Sequence, residues 1–102
     1  MTGMDAATEG KFLDGFRQFL AANSNLGPGL VRQVLVVRMA YPTETEEFRV
    51  TASRSECGEA ISVLFDELQT FFAERETFGT KEQGEVVKQV LRRCRRSQSF
   101  RL

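Results

Sequence analysis

Between residues 9 and 22 the apolar side chains Phe12, Leu13, Phe16, Phe19 and Leu20 recur at i, i+1, i+4, i+7 and i+8, opposite Asp14, Arg17 and Gln18. That spacing predicts an amphipathic helix, and Thr8 stands where an N-cap belongs. Turn formers then dominate from Asn23 through Gly27, Pro28 and Gly29, so the helix should stop there and extended chain should follow. Residues 30–41 are dense in β-branched and long apolar side chains, with Val31, Leu35, Val37, Met39 and Tyr41 on one parity and Leu30, Val34 and Val36 on the other. The pattern predicts a strand covered on both faces in its middle. Pro42 ends it, Thr43, Glu44, Thr45 and Glu46 make a polar turn, and Phe48, Val50 and Ala52 then alternate with Arg49, Thr51 and Ser53. Such alternation predicts a half-buried strand antiparallel to the first, giving a hairpin.

Ser53 and Glu56 have the spacing of a capping box, with Ser55 as a competing cap. Beyond them Cys57, Ala60, Ile61, Leu64, Leu68, Phe71 and Phe72 form the longest helical stripe in the chain, flanked by Phe65 and carried to Arg75. Phe78 and Gly79 should end that helix, and Thr80 with Gln83 should cap another. The last helix shows Val86, Val87, Val90, Leu91 and Cys94 on one narrow apolar side, with lysine and arginine around the rest.

The expected fold is therefore α+β, a small single domain of order αββαα in which an antiparallel hairpin packs against helices. The domain should run over residues 9–96, between a flexible N-terminus at 1–8 and a flexible C-terminal tail at 97–102. A lone hairpin is marginal in water and leaves open edges. Dimerisation is the expected remedy: two hairpins join into one four-stranded sheet along an edge containing Val34, Leu35, Val36 and Val37. Over residues 30–79 this layout of a hairpin leading into a long helix resembles the small dimerising subunit of the KEOPS tRNA-modifying assembly. The basic last helix, and the lack of a strand before Phe12, depart from that pattern, and no function is carried over from it.

Charge changes the picture more than composition does. The 102 residues hold 14 basic and 14 acidic side chains and no histidine. Residues 1–85 carry eight basic and fourteen acidic side chains, net −6, whereas residues 86–102 carry one lysine and five arginines without an acid, net +6. Such a segment needs an anionic partner or borrows one from its own body, and residues 44–85, at net −7, offer the complement. The expected partner-binding residues are Arg92, Arg93, Arg95, Arg96 and Arg101. Protein contact is the first reading of this cluster and nucleic acid the alternative, through phosphate contacts by the same arginines. Ser99, three residues after Arg96, fits a basophilic kinase pattern, and Phe100 with Leu102 has the alternation of an added strand. The valine-rich apolar side of the last helix argues against membrane binding.

Candidate chemistry is thin. Without histidine the usual general base is missing, as are nearly all familiar zinc ligand sets. Cys57, near a helix start, has the position of a nucleophile but falls on the apolar stripe beside Glu56 and Glu59, which disfavour the thiolate. Glu44, Glu46 and Glu47 match no calcium-loop spacing, and Gly27, Pro28 and Gly29 do not sit between a strand and a helix as a phosphate-binding loop does. No catalytic, cofactor or metal residue is therefore expected. The functional expectation is a noncatalytic protein-protein interaction module, a homodimeric subunit or adaptor of a larger assembly with a basic docking helix. It should be cytoplasmic, since no secretory signal or apolar span is legible, with itself and a second protein as partners.

Overall fold

A computed structural model describes residues 5–23, 25–52 and 59–99, and every regular element among them is an α-helix. In chain order these are α1 (Ala6–Ala22), α2 (Pro28–Ala40), α3 (Pro42–Thr51), α4 (Glu59–Phe72) and α5 (Thr80–Ser99). The expected α+β fold is thus overturned. Both strands of the hairpin are helices, and its turn is the first part of α3.

The reason lies in how the two prolines act. Pro28 and Pro42 are not terminators here; each is the first residue of its helix, where the missing N–H is no loss and the fixed φ suits the first turn. Once residues 28–40 wind as a helix, Leu30, Val31, Val34 and Leu35 fall on one stripe at i, i+1, i+4 and i+5 and are all buried. Arg32 and Gln33 face solvent, and Val36 is left 40% exposed. In α3 the helical period buries Glu44, Thr45 and Phe48, while Val50, which strand alternation pairs with Phe48, is 67% exposed. A single residue, Tyr41, joins α2 to α3: its N–H donates to the Val37 carbonyl at 2.8 Å, and its own carbonyl accepts from the Thr45 N–H at 3.0 Å and the Thr45 hydroxyl at 2.7 Å. The Tyr41 carbonyl thereby accepts the first intrahelical bond of α3, and no side-chain cap is present at that helix start.

The sheet-mediated dimer and the resemblance over residues 30–79 fall with the hairpin. Val34 and Leu35 are fully buried within the chain's own core, Val37 is half-buried, and no strand edge is formed by residues 34–37. Two helix starts also differ from expectation. Asp5, not Thr8, caps α1: its Oδ1 accepts from the Thr8 N–H at 2.7 Å, which holds the Asp5 carboxyl below its ordinary pKa. At α5, Glu82 Oε1 accepts from the Gly79 N–H at 3.1 Å, the reach-back half of a capping box centred one residue earlier than Thr80. The stretch expected to cap α4, with Ser53, Ser55, Glu56 and Cys57, lies outside the described residues.

The last helix is the centre of the fold. Along α5, Val86, Val87, Val90, Leu91 and Cys94 are all buried, and the helix packs on both α2 and α4. Helix α3 bridges α2 to α1. Where α1, α3 and α4 meet, Phe16, Phe48 and Phe65 form an aromatic cluster with ring centroids 5.0 to 6.1 Å apart, in the edge-on and tilted arrangements aromatic pairs prefer. Phe78, between α4 and α5, packs edge-on against Phe72 at 5.4 Å and donates its N–H to Met39 Sδ.

Candidate functional site

Helix α1 packs on α3 more than on α2, so an open groove separates α1 from α2. Its volume is about 370 Å³, and it is lined by Lys11, Phe12, Gly15, Phe16, Phe19, Gln33 and Val37. Phe16 seals the floor at 5% exposure, whereas Phe12 and Phe19 are only half-buried. The apolar surface continues past Phe12 to Tyr41, 4.7 Å away between ring centroids and 41% exposed. Gly15 lies in the middle of α1, and a Cβ built there would meet no atom within 4 Å. The vacant position opens directly onto the groove.

Sequence reasoning placed Phe12 and Phe19 in the core stripe and missed this surface. A signal was present. Thr8, Phe12, Gly15, Phe19 and Ala22 are spaced 4, 3, 4 and 3, the repeat of a helix seam that meets another helix. It sits beside the Phe16 and Leu20 stripe that α1 buries against the rest of the chain, and Phe19 is partly packed against that same core.

The second surface is the outer side of α5. Lys88, Arg92, Arg95 and Arg96 are exposed and fall within about 100° of arc, opposite the buried Val87, Val90, Leu91 and Cys94. Arg93 leaves this group. It leans to the boundary of the buried face, 3.5 Å from Glu67 Oε2 on α4 and 5.0 Å above the Phe71 ring. Four of the five arginines expected to bind a partner are thus on α5, three of them on one outward face; Arg101 lies outside the described residues, as do the Ser99 side chain and residues 100–102.

Reactive chemistry is absent from both surfaces. Cys94 is a free, fully buried thiol, and burial, reinforced by nearby Glu67, pushes its pKa up to about 11; a thiol so held is not a nucleophile near neutrality. Cys57 lies outside the described residues. The three glutamates expected in a hairpin turn divide their roles on α3. Glu46 takes Arg49, whose Nε donates to Glu46 Oε2 at 3.1 Å, and this guanidinium holds the Glu46 carboxyl low. Glu47 shares a hydrogen bond with Glu9 of α1, and that contact, with Glu44 adding to it, raises the Glu9 pKa. Among the described residues no group of three or more candidate ligands is arranged to hold a metal ion, and no helix is long and apolar enough to cross a membrane.

Comparisons with protein-family models, with curated proteins and with solved structures each found no match.

Proposed function

We propose that this chain is a noncatalytic protein-interaction module that pairs with a second copy of itself through the groove between α1 and α2, as a homodimeric subunit or adaptor of a larger assembly. The apolar groove, with Gly15 exposed on its lining, carries the reading. Glycine inside a helix costs about 1 kcal/mol relative to alanine, and among the described residues no atom lies within 4 Å of a Cβ built at Gly15. A second helix uses that space, because the missing side chain lets its backbone approach closely.

A copy of this chain suits the space for two reasons. The seam of Thr8, Phe12, Gly15, Phe19 and Ala22 reads nearly the same in both directions, so an antiparallel pair about a twofold axis sets Gly15 against the partner's Gly15 and Phe12 against the partner's Phe19. Lys11 is moreover the one charged residue of the groove lining. Two copies can therefore meet there without the repulsion that the −6 body would impose elsewhere. The reading includes a cytoplasmic setting, which the free buried thiol of Cys94 supports.

Sedimentation over about 1 to 100 μM, a range chosen to bracket micromolar association, tests this directly. The wild type should sediment as a dimer whose stability changes little with salt, since its contact is apolar. Gly15→Arg should yield a monomer with an unchanged helical spectrum, and Phe19→Asp should do the same. A wild type that stays monomeric throughout, or a Gly15→Arg variant that still dimerises, overturns the proposal.

A further inference from the structure

We infer that the outer face of α5 is a docking track for the phosphodiester backbone of a nucleic acid, a contact separate from the groove between α1 and α2. Lys88, Arg92, Arg95 and Arg96 span about 12 Å of helix axis at 1.5 Å rise per residue. The helix that carries them is anchored along its opposite side by five buried residues, so their backbone positions are set before binding and only the side chains remain to be ordered. Charge complementarity selects a polyanion, and the composition of the face selects among polyanions. Between residues 85 and 96 its outward positions are Glu85, Lys88, Gln89, Arg92, Arg95 and Arg96, with no apolar or aromatic side chain. A protein interface needs a desolvated anchor at its centre, and a membrane surface needs apolar side chains to insert beside the cations. Phosphates need neither: contacts from arginine and lysine to the backbone position a protein on nucleic acid without reading sequence. Arg93, by contrast, is drawn into the fold by Glu67 and Phe71 and stands apart from the track.

The acidic body sets the orientation of approach. With net −6 over residues 1–85, a polyanion is repelled from the other sides and accepted along α5.

The test is fluorescence anisotropy of the full chain with a labelled 20-base-pair DNA duplex and, in a second arm, the same sequence as duplex RNA. Four phosphate contacts give a slope of log K against log salt near −3.6, so affinity should fall about 100-fold between 50 and 200 mM salt. Both arms should show this slope, since they share the backbone chemistry. Replacing Lys88, Arg92, Arg95 and Arg96 together by glutamine should abolish binding at 50 mM salt, and Arg92→Gln alone should weaken it several-fold. Arg32→Gln, which removes the same charge from an exposed site on α2, should change it less than about twofold, as expected of an exposed charge away from the contact. Because the fourfold variant could fray the end of α5, the wild-type salt slope stands as an independent readout. A slope near zero, equal weakening by Arg32→Gln and Arg92→Gln, or binding of poly-glutamate as tight as that of the duplexes, each overturns the inference.

Discussion

Helices α1 and α5 invert the usual relation between hydrophobic content and burial. Helix α1 carries Phe12, Leu13, Phe16, Phe19 and Leu20, yet only Phe16 and Leu20 are buried. Helix α5, polar over most of its surface, buries all five of its apolar residues and contacts both α2 and α4. The charges at their contacts differ in the same sense. An opposite pair, Arg93 and Glu67, joins α5 to α4, whereas like charges, Glu9 and Glu47, meet where α1 lies on α3. Core membership follows from where a stripe can be covered, not from how apolar it is. Phe12 and Phe19 of α1, only partly covered within the chain, supply the apolar surface on which the proposed pairing rests.

The sharpest way to break this contrast is to truncate one side chain from each helix. Leu91→Ala on α5 should cost about 2 to 5 kcal/mol, the range for deleting a fully packed aliphatic side chain. Phe19→Ala on α1, although it removes more atoms, should cost about 1 to 2 kcal/mol because its ring is only partly buried. Urea titration of both variants measures this. Equal costs would mean that α1 is as firmly held as α5.

At Gly15 the expected change is smaller and of opposite sign. Alanine there should stabilise the monomer by about 0.5 to 1 kcal/mol through helix propensity, since its Cβ meets nothing. Measured at a concentration where the chain is monomeric, the gain isolates the cost that the glycine imposes on α1. A loss of stability would show that the monomer itself requires the glycine. Between Arg93→Ala and Arg92→Ala the difference should be about 0.5 to 1 kcal/mol, with Arg93 the costlier. Its pair with Glu67 is partly exposed, at 43% and 24% of the two side chains, so only a surface-bridge and cation-π contribution is at stake. Thermal melts of the two variants check it.

How far the sequence reaches is visible in particular elements. The spans of α1, α4 and α5 follow from amphipathic stripes of period 3.6, and the burial of Phe16, Leu64, Val90 and Cys94 follows with them. Helices α2 and α3 read as strands in the sequence for one physical reason. Residues 30–41 are apolar on nearly every position, and a run buried along most of its length has no clear period with which to tell strand from helix. β-branched residues then tilted the choice toward strand, although Pro28 and Pro42 were equally legible as first residues of helices. The buried stripe of Leu30, Val31, Val34 and Leu35, bounded by Arg32 and Gln33, was the discriminating pattern. Of the candidate surfaces, the arginines of α5 were legible as a charge run, but which of them faces outward was not. That depends on where α4 lies, which sets Glu67 and Phe71 beside Arg93.

The smallest effect concerns the carboxyl pair between α1 and α3. Its hydrogen bond to Glu47 raises the Glu9 pKa above the ordinary glutamate range, with Coulomb repulsion from Glu47 and then Glu44 adding in the same direction. A raised carboxyl binds its proton more tightly in the folded state than in the unfolded one, so its contribution to stability is fully present below the unfolded pKa and is lost as pH rises through the folded value. Asp5 and Glu46, both held low by hydrogen bonds, run the other way and lose their contributions as pH falls. The total pH profile therefore mixes opposing signs, and the difference between wild type and Glu47→Gln separates them. At pH 7 the Glu47→Gln variant should be the more stable, because a neutral amide next to ionised Glu9 donates a hydrogen bond where a carboxylate repels. As pH falls through the glutamate range that advantage should shrink towards zero, since protonation supplies the same hydrogen bond in the wild type. Paired urea titrations at pH 7 and pH 4 measure the change. An advantage that does not vary with pH would place the two carboxyls out of contact.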